Sequence, residues 1–191
     1  LEDKDKNIWI LTNDGITKNI PRSFLSSENF SNDTVTNYGK FISLNVKTCN
    51  LLDNTGYFLY EDLEGNIWVG TRKGLSLLPY AANVEKEKEI FSNYTVKEGL
   101  IDSFVMCMVE DESHRYWIGT YSGLMCVNIS TDENGKKTFN IIDTLTEKNG
   151  LVENYIKDVI IDKSGDLLVL TKKGITKINL KNSQKGNYSL K

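Results

Sequence analysis

One histidine, three cysteines and adjacent carboxylate pairs such as Glu61-Asp62 and Glu110-Asp111 are side chains of this sequence whose types could do covalent or proton-transfer chemistry. His114 could carry a proton, the cysteines could attack a substrate or hold a metal, and Glu61-Asp62 and Glu110-Asp111 could serve as acid and base. Their settings argue against each role. His114 stands three residues after Asp111, where a second copy of the same segment has Gly65 three residues after Asp62. That turn position demands a positive φ, and histidine is among the non-glycine types that tolerate one. The carboxylate pairs recur at equivalent places in like segments, which makes them features of a repeat and not a catalytic dyad. Cys49, Cys107 and Cys126 have no metal-ligand spacing, and their odd number forbids a fully paired framework. They read as buried small hydrophobes. Cys107 and Cys126 could meet only if their strands were neighbours. No catalytic residue, metal site or cofactor is expected, because no metal, phosphate-loop or nucleophile pattern is present.

The elements that carry these residues are copies of one unit. Asp62 to Leu75 reads Asp-Leu-Glu-Gly-Asn-Ile-Trp-Val-Gly-Thr-Arg-Lys-Gly-Leu, and Asp111 to Leu124 repeats its Asp, Trp, Gly-Thr and final Gly-Leu. Two weaker copies flank them. Asp3 to Ile16 keeps Asp3, Trp9, Thr12 and Gly15 but has Leu11 in place of a Gly; Asp162 to Ile175 puts Leu168 and Leu170 at the Trp and Gly positions. Trp9, Trp68, Trp117 and Leu168 are separated by 59, 49 and 51 residues, and a fixed period of about 50 marks a propeller or solenoid. A second element keeps the same phase: Asn50 to Asn54, Gly99 to Ser103 and Gly150 to Asn154.

Within each period the pattern predicts four short strands and no helix: Ile8 to Thr12, Ile16 to Ile20 and Phe41 to Val46; then Gly56 to Glu61, Ile67 to Thr71, Leu75 to Leu78 and Glu89 to Thr95. Phe104 to Glu110, Tyr116 to Thr120, Leu124 to Ile129 and Thr138 to Ile142 follow, and last Tyr155 to Ile161, Leu167 to Thr171, Ile175 to Leu180 and Asn187 to Leu190. The polar stretch from Arg22 to Lys40 reads as a loop, which accounts for the longer first offset. Four strands per period describe the blade of a β-propeller. The fold class is therefore all-β, with about four blades of four-stranded antiparallel sheet over approximately 1-48, 49-97, 98-148 and 149-191, a fragment of a larger propeller. The Trp is large enough to fill the gap between blades, while Gly70 and Gly119 leave room for a neighbour.

The 191 residues carry a net charge of -3 with no basic block, so neither nucleic acid nor an anionic membrane surface is expected as a partner. No run approaches the roughly 20 apolar residues that span a bilayer. Leu1 opens inside a repeat, and the chain reads as an excised piece. Open apolar faces at the first and last sheets, such as that of Ile8, Trp9 and Ile10, predict either closure into a smaller ring or a homodimer or other self-association.

Asp-x-x-Gly-x-Leu-Trp-Ile-Gly-Thr-x-x-Gly-Leu preceded by Gly-Leu-x-x-Asn is the pattern of the two-component regulator propeller repeat, and the segments above resemble it across almost the whole chain. The match is strongest at Asp62 to Leu75 and Asp111 to Leu124. Lys6 replaces the turn Gly, and Leu11, Leu168 and Leu170 replace other signature residues. The resemblance implies the periplasmic sensor region of a hybrid two-component system of Bacteroides-type bacteria. It further implies an oligosaccharide ligand, and signalling through a membrane helix to a histidine kinase elsewhere in a longer inner-membrane protein. Two alternatives stand beside this: a protein-interaction scaffold without a small ligand, and a propeller lyase or hydrolase.

In such a blade the turn between strands two and three shares a face with the connection into the next blade. That face gathers Asn13, Asp14, Asp53, Asn54, Arg72, Lys73, Asp102, Ser103, Tyr121, Ser122, Glu153, Asn154, Lys172 and Lys173. A sugar needs an aromatic face and planar amide, carboxylate or guanidinium groups. Tyr121 with Asn54, Asn154, Arg72 and Lys73 is the candidate set, the two cations favouring an acidic sugar. Against that reading, Asn54 and Asn154 occupy a repeated loop position that suits a loop-shaping hydrogen bonder, and Arg72 and Lys73 suit solvated turn residues.

Overall fold

The structure is a computed structural model and describes residues 1–25, 35–36, 39–86, 88, 90–133, 137–184 and 187–190. Among the described residues sixteen strands fall in chain order: β1 (Ile8–Thr12), β2 (Gly15–Ile20), β3 (Val35–Thr36), β4 (Gly39–Leu44), β5 (Gly56–Glu61), β6 (Ile67–Thr71), β7 (Gly74–Leu78) and β8 (Ser92–Tyr94). The second half adds β9 (Val105–Glu110), β10 (Tyr116–Thr120), β11 (Leu124–Thr131), β12 (Lys137–Leu145), β13 (Ile156–Ile161), β14 (Leu167–Thr171), β15 (Ile175–Gln184) and β16 (Asn187–Leu190). They form four four-stranded sheets, ordered β1-β2-β4-β3, β5-β6-β7-β8, β9-β10-β11-β12 and β13-β14-β15-β16, hereafter sheets A to D. The pairs β1-β2, β2-β4, β5-β6, β9-β10, β10-β11, β11-β12, β13-β14 and β14-β15 are antiparallel. The fold is all-β, a set of propeller blades. Sheet A differs from the others in that β1, the counterpart of their second strand, is its edge, bridged only by Glu2 to Ile8. Strand β3 adds to its far side.

Most strands fall where the hydrophobic pattern puts them. The differences have local causes. The fourth strand of sheet B shrinks to Ser92–Tyr94, while β12 runs on to Leu145 because a register shift between Cys126 and Val127 lets it keep pairing with β11. Part of the polar 22–40 stretch, residues 87 and 89 before β8, and residues 134–136 between β11 and β12 lie outside the described residues.

Two compact units divide the chain: Leu1–Thr71 with Ser76–Asn93, and Arg72–Leu75 with Tyr94–Lys191. In the first, Trp9, Ile16 and Leu44 of sheet A pack with Ile67, Val69 and Leu78 of sheet B in one core, closed by Leu51 and Phe91. In the second, Cys107, Trp117, Leu124 and Cys126 of sheet C pack with Ile156, Val159, Leu167, Val169 and Ile178 of sheet D. Trp9 and Trp117 thus fill the gap between successive sheets, burying large apolar rings. Ile8, Trp9 and Ile10 do not share one open face, because a strand sends alternate side chains to opposite sides. Trp9 is buried toward sheet B and Ile10 is exposed on the other side.

The repeated Asp anchors each tryptophan. Asp62 accepts from the Glu64 and Asn66 amides at 3.0 and 2.9 Å through Oδ1, and from Trp68 Nε1 at 2.9 Å through Oδ2. Asp111 does the same with Ser113, Arg115 and Trp117, and Asp3 with Asp5, Asn7 and Trp9. A charged acceptor on a buried indole contributes about 1.5–3 kcal/mol. In the fourth copy Leu168 offers no donor, and Lys177 takes the vacant oxygen: its Nζ lies 2.9 Å from Asp162 Oδ2 and 2.9 Å from Asp166 Oδ2. That ammonium, with the Asp166 amide, holds the Asp162 carboxyl below the usual range, and the two carboxylates hold Lys177 above its own.

The turn glycines and their replacements all take positive φ: Gly65 at 88°, Gly165 at 79°, His114 at 57° and Lys6 at 67°. His114 is exposed, with Nδ1 2.8 Å from Glu110 Oε1. Its place is set by backbone geometry. The three cysteines are buried thiols. Cys107 on β9 and Cys126 on β11 are separated by β10, so they are not neighbours, and burial pushes the Cys107 thiol up.

Candidate functional site

Each turn between second and third strands is built by a Thr and a Gly three residues on. Thr12, Thr120 and Thr171 donate through Oγ1 to the carbonyls of Gly15, Gly123 and Gly174 at 3.0, 2.8 and 3.0 Å. The two residues between them are pushed outward, which presents Tyr121 and Ser122 from sheet C and Lys172 and Lys173 from sheet D. Arg72 and Lys73 are exposed at the same turn of sheet B.

The connections between sheets are equally regular. Val96–Glu98 and Glu147–Asn149 form single 3-10 turns with a capping box, from Thr95 to Glu98 and from Thr146 to Asn149, and end on Gly99 and Gly150 in the left-handed region. Leu100 and Leu151 then enter the core. Beyond them Asp53 and Asp102 accept from the amides of Thr55 and Phe104 at 2.9 and 2.8 Å. Asn154 Oδ1 accepts from the Glu147 amide at 2.8 Å. Asn54 Oδ1 likewise accepts from Val46 at 2.9 Å, while its Nδ2 donates to Asp14 Oδ1 at 3.0 Å. Both asparagines hold their connections in shape, as their repeated position suggests.

Within the second unit these elements bring an aromatic cluster together. Tyr121 stacks on Phe104 with ring centroids 4.6 Å apart and planes 19° from parallel, and meets Tyr155 edge-on at 4.4 Å. Lys172 Nζ sits 4.9 Å from the Tyr155 ring centre, close enough for a cation–π contact. Its backbone amide donates to Glu153 Oε2 at 3.0 Å, and Ser122 Oγ donates to Asp102 Oδ2. Lys173 Nζ lies 3.8 Å from Glu147 Oε1. The surface combines a partly exposed aromatic face, hydroxyls, three carboxylates and two ammonium groups.

Of the five residues singled out from sequence, Tyr121 and Asn154 fall together in this unit, beside the cluster and in its supporting loop. Asn54 belongs to the first unit. Arg72 and Lys73 are exposed residues of the sheet B turn, which groups with the second unit. Phe104 and Tyr155 escaped the sequence reading, which absorbed them into the following strands. The signal was there: both stand just before a first strand, where the second copy has Thr55.

Among the described residues no group of three or more His, Cys, Asp or Glu could hold a metal ion, and no helix is long and apolar enough to cross a membrane.

The successive sheets define a β-propeller, and solved structures agree. Over 100% of this chain and 22% of the other, it is similar to the extracellular domain of a protein described as the hybrid two-component system BT3049 of B. thetaiotaomicron, at 20% identity and a TM-score of 0.67. Porphyromonas gingivalis PorZ, a surface component of the type-IX secretion system, is 20% identical over 92% of this chain and 24% of its own, with a TM-score of 0.61. Virginiamycin B lyase of Staphylococcus aureus is 13% identical over 100% of this chain and 53% of its own, with a TM-score of 0.59. The chain thus spans well under two thirds of each. A comparison with curated proteins finds no match. Residues 99–122 match the two-component regulator propeller family, so the chain carries that family's repeat in sheet C.

Proposed function

We propose that this chain is part of an extracytoplasmic sensor propeller that binds an oligosaccharide without transforming it and passes the signal to a histidine kinase elsewhere in a longer protein. The two-component repeat at 99–122 supports the regulatory half of this reading. The extracellular domains among the similar structures support its location outside the cytoplasm. The observation that carries the ligand half is the Phe104, Tyr121, Tyr155 and Lys172 cluster, because a stacked, partly exposed tyrosine flanked by hydroxyls and charges is the chemistry that takes a sugar ring. Lys172 and Lys173, with Arg72 and Lys73 at the equivalent turn, favour a sugar acid. Titrating a panel of neutral and uronic-acid oligosaccharides into the protein, with calorimetry for binding and mass spectrometry for turnover, tests it. Binding of an unchanged glycan is expected. Conversion of the bound sugar would replace this reading with a lyase or hydrolase, and silence to every glycan would favour a protein-binding scaffold.

A further inference from the structure

Eight residues tip the turns between second and third strands: Asn13-Asp14, Arg72-Lys73, Tyr121-Ser122 and Lys172-Lys173. The Thr and Gly frame beneath them is the same in sheets A, C and D, so their side chains are not needed to close the turn. Tyr121 is the one aromatic among the eight, and the equivalent tip one sheet on is Lys172. The residue that leads into the first strand varies as well, from Thr55 to Phe104 to Tyr155. An aromatic platform followed by a cation is therefore a departure from the repeat, and it falls at one place.

Lys172 is also held differently from its neighbours. Asp53 and Asp102 close their own loops by accepting from the amides of Thr55 and Phe104. Glu153 stands at the same position of its connection, and its longer side chain instead accepts from the Lys172 backbone amide at 3.0 Å. That bond fixes the tip, and the ammonium lies 4.9 Å from the centre of the Tyr155 ring, itself 4.4 Å from that of Tyr121. A ring face attracts an ammonium but does not neutralise it. Lys173 Nζ has Glu147 Oε1 at 3.8 Å, whereas among the described residues no carboxylate makes an ion pair with Lys172.

Three carboxylates against two ammonium groups give this surface no net attraction for an acid, so a preference for one must come from where a cation is placed. Phe104 covers one face of Tyr121 in near-parallel stacking, and Tyr121 stays 39% exposed. A pyranose laid on the exposed ring can turn a carboxylate toward Tyr155 and Lys172, and its hydroxyls toward Asp102 and Ser122, which are bonded to each other. We propose that Lys172 is the specificity-determining residue of this surface: it reads the carboxylate of a uronic acid whose ring lies on Tyr121, so that one sugar bridges sheets C and D. This role rests on the oligosaccharide reading above and assigns the acid preference to one side chain among four cations.

Calorimetry on the intact chain, using the uronic-acid oligosaccharides of the panel above and the carboxyl-reduced neutral form of each, tests this for the wild type, Lys172→Gln and Lys172→Arg. The position is exposed, and unchanged circular dichroism would show that each variant folds. The wild type is expected to bind the acid form about fivefold more tightly than its reduced form, the upper end for one solvent-exposed ion pair. Lys172→Gln is expected to erase that preference by weakening the acid form alone, and Lys172→Arg to keep it. A Lys172→Gln variant with the wild-type preference overturns the proposal. So does one that weakens both forms equally, which would make Lys172 a structural part of the turn. Equal binding of acid and reduced forms by the wild type overturns it while leaving an oligosaccharide sensor standing, and silence to every glycan overturns both.

Discussion

The contact between sheets A and B and the contact between sheets C and D are built from the same repeat with the sizes reversed. In the second unit a glycine on β10 makes room for Ile156 on β13. In the first a leucine on β1 projects toward a glycine on β5. Leu11 looks like a defect of the repeat when the first copy is read alone, and Gly56 looks like a weak strand residue. Together they keep the filled volume nearly constant, which is what a close-packed interior requires. The difference teaches that these two sheet contacts are matched by the sizes of opposing residues and not by one residue at each position.

The strongest way to break this comparison is to move one half of a pair without the other. Gly119→Leu places a Cβ 2.3 Å from Cys107 Sγ and 2.7 Å from Ile156 Cγ2, both held in a buried core. A loss at or above the upper end of the roughly 1–3 kcal/mol range for overpacking is expected in urea unfolding. Adding Ile156→Gly relieves one of the two clashes, so a coupling of about 0.5–3 kcal/mol is expected in the double-mutant cycle. Strict additivity would refute the pairing.

Leu11→Ala in the first unit removes a half-buried side chain facing Gly56. It should cost about 1–3 kcal/mol, less than a fully buried leucine, since part of the site is open to water. Gly56→Ala should cost less than about 1 kcal/mol, because the atom it meets is the far end of Leu11, free to rotate away. Gly119→Ala should exceed it, and equal losses would mean that the two contacts do not differ as described.

The smallest effect concerns the charge that replaces a tryptophan. Asp162 is held below the usual carboxylate range chiefly by its hydrogen bond from Lys177. A depressed acid contributes stability that is present above its unfolded pKa and lost as pH falls through the folded value, so this part fades below about pH 4. Lys177 is held above the usual lysine range, chiefly by Asp166. Its contribution is complete below the unfolded lysine pKa and fades as pH rises through the raised value. Lys177→Met should flatten both ends of the melting-temperature profile.

Much of the fold was legible because its signals are local. Asp-x-x-Gly turns, the Trp-x-Gly-Thr strand and the Gly-Leu connection each depend on residues within a few positions, and the positive φ at His114 followed from its place in the turn. The meaning of Leu11 was not legible, since its partner lies in another sheet and a sequence gives no distance between them. The same holds for the candidate site. Tyr121 stood out as an aromatic at a turn tip, but Phe104 and Tyr155 lie before strands where aromatics are ordinary, and only the adjacency of sheets C and D turns them into a cluster. Asn54 and Asn154 carried the right chemistry for a ligand, yet their carboxamide oxygens accept from backbone amides of their own loops.

Comparing glycan affinity by calorimetry for the intact wild type and for Tyr121→Ala and Asn54→Ala variants tests the central claim most directly. Binding in the wild type, weakened at least about tenfold by Tyr121→Ala, as loss of an aromatic platform would do, and little changed by Asn54→Ala, is the result predicted. Full affinity in the Tyr121→Ala variant would contradict it and move the ligand away from the aromatic cluster.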